Sequence, residues 1–166
     1  MNHEITIDSE LEGDNPWTAL LQQTVSTALE AEGVAVPCEV NVLLTDDEGI
    51  HQINLEQREV DAPTDVLSFP MFEFAPGEPP AGEGLTDPGT GLLPLGDMVI
   101  SVERAQAQGE EFGHGIRREL AYLCVHSVLH LLGYDHVDEG VMKAQMRQRE
   151  EMILKQIGIP RDAGET

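Results

Sequence analysis

Three of the six histidines fall within eleven residues, in the run His126-Ser127-Val128-Leu129-His130-Leu131-Leu132-Gly133-Tyr134-Asp135-His136. Residues four apart on an α-helix stand about 40° apart around the axis and about 6 Å along it, so the imidazoles of His126 and His130 lie side by side. Gly133 can adopt a positive φ and end the helix, letting the chain double back and offer His136 as a third ligand. Three neutral imidazoles favour Zn²⁺, and three protein ligands on a tetrahedral ion leave one position for water. A zinc ion held in that way lowers the pKa of its water to about 7 and supplies hydroxide at neutral pH. The spacing His-x3-His-x5-His, with glycine three residues after the second histidine, is also that of the long zinc-peptidase motif. The peptidase glutamate is absent, however, and Ser127 stands in its place. A serine hydroxyl does not collect a proton as a carboxylate does, so the metal cage is zincin-like while the peptidase base is missing.

The elements that must position this cage are set by periodicity. A weak alternation over 3–7 suggests a short edge strand. Asn15-Pro16 reads as a helix start, and Trp17, Leu20, Leu21, Val25, Ala28 and Leu29 keep helical spacing up to Gly33. Cys38, Val40, Val42 and Leu44 mark one face of a strand. Thr45–Glu48 fits a capping box opening a helix that runs to about Arg58. Short strands are expected at Val66–Phe69 and Asp97–Ser101, and helices from Ser101 to about Gln108, about Ile116 to Leu132 and about Asp138 to Ile157. Residues 76–96 hold five prolines and six glycines; so many breakers predict a flexible loop. Strands mixed with helices predict an α+β fold: one domain over residues 1–166, a small mixed β-sheet packed with helices, with the histidines on a zincin-like helix.

Length and composition bound what such a cage can serve. At 166 residues and 40% hydrophobic content the chain can bury a core without a structural metal. The formal net charge is −22, and residues 1–103 contain one basic residue, Arg58, against 21 acidic ones. A generally basic nucleic-acid coat is therefore excluded, and polyanions are repelled at long range. The eight basic residues after position 103 include Arg117 and Arg118 at the start of the histidine-bearing helix, so a polyanion is expected to approach that face unless a protein partner supplies the missing positive charge. Cys38 and Cys124 sit among apolar neighbours and read as reduced, buried thiols. His3, His51 and His114 read as surface residues. The N-terminal MNHEITIDSE has neither a basic nor an apolar leader region, and no apolar run approaches a membrane span. A cytoplasmic location without membrane partners is expected.

His126–His136 resembles the H-G-x-L-H-L-x-G-Y-D-H signature of the YbeY family of single-strand-specific metallo-endoribonucleases. Asn54–Arg58 with Asp61–Pro70 is similar to the family's N-x-x-x-R…D-x-P-T-D-V-L-S-F-P block. Leu95–Ser101 is similar to its L-G-D-I-x-I-S strand, and the final helix, with Met142, Met146, Glu150 and Met152, is similar too. Ser127 departs from the family's usual glycine, the 76–96 stretch is longer than is typical, and the N-terminal portion is unusually acidic. The resemblance implies one Zn²⁺ ion on His126, His130 and His136, and a catalytic Arg58. The last point agrees with the chemistry, since a guanidinium offers paired donors to a phosphate that gains negative charge. It also implies single-stranded rRNA as substrate, chiefly in small-subunit 3′-end maturation and late ribosome quality control, with the ribosome or its proteins as partners and no DNA. Either a zinc-bound water or the RNA 2′-OH could be the nucleophile. Asp135 could orient a ligand histidine, while Asp65 and Asp97 read as structural. Two other readings stand beside this one: a zinc hydrolase of peptide-like substrates, and a noncatalytic, metal-stabilised ribosome adaptor.

Overall fold

Alternation builds the centre of the sheet. In the computed structural model, Cys38, Val40, Val42 and Leu44 all turn into the main core, with essentially no exposure. The structure describes residues 3–13, 15–75, 78, 80, 85–134 and 141–159. Their order is β1 (Glu4–Ser9), α1 (Thr18–Ala31), β2 (Cys38–Thr45), α2 (Asp47–Arg58), β3 (Val66–Pro70), β4 (Leu93–Ser101), α3 (Val102–Glu111), α4 (Gly115–Leu131) and α5 (Val141–Ile157). The sheet order is β1-β2-β4-β3; β1, β2 and β4 run parallel and β3 is antiparallel to β4. This is the expected α+β fold with a mixed sheet, and β1 is an edge strand, as the weak alternation implies.

Helices α1 and α4 cover one face of the sheet. Leu21, Val25 and Leu29 of α1 and Leu120, Leu123, Cys124 and Leu129 of α4 are fully buried with the inward side chains of β2 and β4. The opposite face carries a smaller cluster, Ile50 of α2 with Leu67 and Val99, flanked by Leu43, Ile53 and Phe69. A residue alternates faces along a strand, yet Leu93 and Leu95 share the main core with Met98 and Ile100. A bulge resolves the conflict: Glu39 pairs with Pro94 while Val40 pairs with Gly96, so Leu95 is the extra residue and the inward parity changes from odd to even. Gly96 takes φ 151°, and a Cβ there would meet the Phe69 carbonyl at 2.6 Å and Leu131 Cδ2 at 2.9 Å. The bulge is thus the place where β3, β4 and the end of α4 press together.

The strand expected to start at Asp97 therefore starts at Leu93, and the last four residues of the Pro/Gly-rich stretch belong to it. Positions 76–77, 79 and 81–84 of that stretch lie outside the described residues. Between them and β4, Asp87 organises a turn, its carboxylate accepting from the Gly89 and Thr90 N–H groups at 2.7 and 3.3 Å. Asn15 accepts from the Trp17 N–H at 3.0 Å but lies two residues ahead of the helix cap, which is Trp17 itself. The cap of α2 is Asp46, one residue later than the expected capping box, with its side chain accepting from Gly49 N at 2.8 Å.

Three expectations about polar residues change. Arg118 is buried, donating to the Ile159 carbonyl at 2.8 Å and to Glu151 at 3.4 Å, so it ties α4 to α5 and does not face RNA; Arg117 beside it is exposed. His114 pairs at 2.6 Å with Glu119, a buried carboxylate that also accepts from Gln108. His3 accepts from the Cys38 N–H at 2.9 Å, and burial, chiefly, holds its pKa below the usual histidine value. The two thiols are buried as expected; burial pushes Cys38 up to about 11 and Cys124 up to about 12, which leaves both protonated and unreactive at neutral pH.

Candidate metal and phosphate site

The histidine-bearing helix runs with eleven buried residues among its seventeen, so its axis is fixed by packing on every side but one. His126 and His130 emerge on that side, into a cleft of about 870 Å³ whose walls include Arg58, Asp65, Ser68, Phe72, Phe74 and Tyr122. Their imidazoles meet edge to face with centroids 4.6 Å apart and Nε2 atoms 3.1 Å apart. The other ring nitrogens are each engaged on the outside. His126 Nδ1 sits 2.5 Å from Glu150 Oε2, and His130 Nδ1 sits 2.8 Å from the Tyr134 carbonyl oxygen.

These contacts settle what the inner nitrogens can do. A carbonyl oxygen only accepts, so His130 Nδ1 carries the proton in that bond, and the carboxylate of Glu150 draws the proton of His126 to Nδ1 in the same way. In the neutral rings both Nε2 atoms then present lone pairs to one another, an arrangement that a shared cation makes favourable. Two nitrogens about 2.0–2.1 Å from a tetrahedral ion would be about 3.3 Å apart, close to the observed 3.1 Å. The donor set thus fits a metal ion. The expected third ligand, His136, and its neighbour Asp135 lie outside the described residues. Among the described residues no group of three or more histidine, cysteine or acidic side chains gathers around a common point.

Among the described residues the carboxylate bonded to a cleft histidine is Glu150, on α5. It is 4% exposed. A signal was present in the sequence: Met146, Ile153 and Leu154 are buried on α5, and Glu150 occupies the same stripe, four residues from both Met146 and Leu154. A charge on an apolar stripe needs a partner. Replacing it with glutamine keeps the volume and removes the charge that makes the His126 nitrogen a better donor. Glu150→Gln is expected to weaken metal affinity about 10- to 100-fold, measured by competition with a chromophoric chelator, while the folded state persists.

The Tyr134 carbonyl has its own support. The Tyr134 hydroxyl donates to Glu32 at 2.8 Å, and Glu32 also accepts from Arg149 Nε at 2.6 Å. Arg149 donates onward to the Ala31 carbonyl at 2.8 Å. The end of α1, the turn after α4 and the middle of α5 are thus fastened together beneath His130. Gly133, with φ 104°, makes that turn, and a Cβ on it would lie 2.0 Å from the Phe74 carbonyl oxygen.

Ser127 is fully buried and shares a hydrogen bond of 2.6 Å with Ser68 of β3. Its hydroxyl therefore fastens α4 to the sheet. Tyr122, one turn before His126, has its ring 5.9 Å from that imidazole; burial first, and the Glu150 charge next, push its hydroxyl up to about 12.

Arg58 is the last residue of α2, is exposed, and among the described residues is the one lysine or arginine walling the cleft. The turn beyond it holds the end of α2 in place. Glu59 adopts the left-handed conformation, φ 59° and ψ 30°, as the helix cap. Buried Asn54 then donates its amide to the Ala62 carbonyl at 2.9 Å and accepts from the Val60 N–H through its backbone at 3.2 Å. Asp65 does two things: it walls the cleft, and its carboxylate accepts from Val66 N at 2.7 Å and Gln108 at 3.4 Å. Asp97 lies on the far side of the sheet, bound to Asn41 at 2.9 Å.

The cleft thus brings Arg58 and two of the three histidines together from segments 68 or more residues apart. Comparison with known proteins identifies the family. The family model described as endoribonuclease YbeY matches residues 4–158. A protein of that name from Clostridium acetobutylicum is 45% identical over 168 residues, covering 96% of this chain and 95% of that protein. Another from Pelotomaculum thermopropionicum is 47% identical over 148 residues, covering 89% and 91%. The solution structure of a Thermotoga maritima protein shares the fold at a TM-score of 0.59 and 22% identity, covering 98% of this chain and 95% of that one. With a match that runs through every element from β1 to α5, the chain belongs to the endoribonuclease YbeY family.

Proposed function

We propose that this protein is a metal-dependent endoribonuclease that cuts single-stranded RNA, with rRNA, chiefly the 3′ end of the small-subunit rRNA, as its substrate and the ribosome or its proteins as partners. The observation that carries the reading is the pair of Nε2 atoms converging at 3.1 Å in a cleft that also contains Arg58. His126 and His130, with His136, would hold one Zn²⁺ ion, which when bound supplies Lewis-acid charge to a phosphodiester. The protein's own residues do the rest. Glu150 and the Tyr134 carbonyl keep both histidines in the tautomer that can ligate. Arg58 directs its guanidinium at the phosphate, where paired N–H donors meet the charge that grows on the non-bridging oxygens. Ser127 is occupied by Ser68, which leaves the position of the zinc-peptidase base without a carboxylate and weighs against peptides as substrates. Work in the cytoplasm belongs to the same proposal; among the described residues no helix is long and apolar enough to cross a membrane.

The test is cleavage of single-stranded rRNA fragments by the metal-loaded protein, by the same protein with a chelator, and by Arg58→Ala. The chelator is expected to abolish cleavage. Arg58→Ala is expected to lower kcat about 10- to 100-fold with metal content unchanged, the exposure of Arg58 letting water replace part of its contribution. Cleavage that survives both treatments would refute the reading.

A further inference from the structure

The aromatic residues of this chain are few and unevenly placed. There are four phenylalanines, two tyrosines and one tryptophan, and four of the seven, Phe72, Phe74, Tyr122 and Tyr134, wall the cleft that holds the paired imidazoles. Phe72 and Phe74 come directly after β3. Their rings lie 5.9 Å apart at 53°, and both are half-buried, resting on the core with part of each ring left to the cleft. The backbone of Phe74 lies on Gly133, in the turn that ends α4, which sets this segment beside the end of the histidine-bearing helix. The segment cannot move away from the histidines without leaving that contact.

Electrostatics favours such a surface for an RNA ligand. The protein carries −22, and the described walls of the cleft offer one arginine against the carboxylates of Asp65 and Glu73. Phosphate contacts therefore supply little affinity. Stacking of bases on aromatic rings does not depend on phosphate charge, tolerates any sequence, and contributes a substantial share of single-strand affinity. It also requires a base that is not already stacked inside a duplex.

We propose that Phe72 and Phe74 form a nucleobase-stacking subsite beside the paired imidazoles, which takes an unpaired base next to the phosphate engaged by Arg58. This rests on the endoribonuclease reading for the identity of the ligand. It accounts for a preference for single strands through the aromatic segment, with no basic surface. It also sets the salt response: with one phosphate held by one arginine, the slope of log K against log salt is shallow, about −0.7.

The experiment uses a single-stranded RNA oligonucleotide carrying 2-aminopurine, whose fluorescence falls when the base stacks. It is titrated with the full-length protein in the presence of a chelator, so that no strand is cut. Wild type is expected to quench the probe and to bind with the shallow salt slope. Phe72→Leu/Phe74→Leu, which keeps apolar bulk on the core, is expected to raise Kd about tenfold and abolish quenching. Phe72→Tyr/Phe74→Tyr is expected to restore both. An abasic nucleotide at the stacked position should cost wild type the same factor and the leucine variant nothing further. Thermal melting verifies that each variant is folded. Unchanged Kd and quenching in the leucine variant, or an abasic penalty equal in both proteins, overturns the subsite. If wild type cuts RNA yet the leucine variant binds as wild type does, the subsite falls and the nuclease reading stands. If wild type quenches the probe but cuts no RNA when metal is supplied, the nuclease reading falls and the subsite stands.

Discussion

His126→Ala is expected to lose metal and RNA cleavage together: elemental analysis should find the purified variant empty, and cleavage should fall at least about a hundredfold, more than loss of a supporting contact alone costs. The size is set by the geometry. His126 contributes one of two nitrogens that meet at 3.1 Å, and its removal leaves His130 opposite a methyl group. Glu150 then loses the imidazole N–H that accompanies its burial, so the variant should also melt at a lower temperature than wild type without metal. His126→Gln separates these effects. Glutamine is long enough to donate an amide to Glu150 and is a poor ligand, so stability should largely return while metal and cleavage do not. Normal metal content in His126→Ala would remove the basis of the proposed chemistry.

Gly133→Ala is expected to be the most destabilising single methyl group in the site. Two independent costs coincide there. A φ of 104° is a conformation that L side chains rarely adopt, and holding one there costs on the order of 1–3 kcal/mol. The added carbon would also lie 2.0 Å from the backbone oxygen of Phe74, which can yield only by moving the segment after β3. A total of about 3–5 kcal/mol corresponds to a fall in Tm of about 6–20 °C for a chain of this size, read by calorimetry. Since the same turn carries the Tyr134 carbonyl bonded to His130, metal affinity should fall in parallel. Gly113→Ala makes the comparison: φ there is 76°, but no atom lies within 4 Å of the added carbon, so it carries the conformational cost alone. Equal losses at the two positions would mean that contact with Phe74 contributes nothing.

Most of the fold was legible because its signals are local. The spacing of Leu21, Val25 and Leu29, the alternation from Cys38 to Leu44 and the glycine after α4 each act within a few residues, and every element but β4 stands where it is expected within a residue or three. The start of β4 was not legible for a definable reason: the bulge at Leu95 changes which residues point inward, so a search for unbroken alternation finds only Asp97 onward. The imidazole pair was legible because four-residue spacing on a helix fixes side-chain proximity, and the structure places both rings as that spacing requires. The place of Arg58 on the cleft wall has no local signal, since no local pattern tells a helix-ending arginine on a cleft from one on an open surface. Arg118 reads as a surface cation in the sequence and is buried in the structure, because burial of a charge depends on what packs over it, here α5 and the Ile159 carbonyl. The partners of Glu150 and Glu32 lie 24 and 102 or more residues away, and which residues they are no periodicity encodes.

Those distant contacts bear on synthesis. The histidine pair is translated before α5, so His126 lacks the Glu150 carboxylate at its Nδ1, and Glu32 the Arg149 guanidinium, until that helix has been made. A nascent chain can complete its sheet and lay α4 across it before the side chains that brace the two imidazoles from α5 have been made. The order within the cleft is therefore among the last features of the described fold to be acquired during translation.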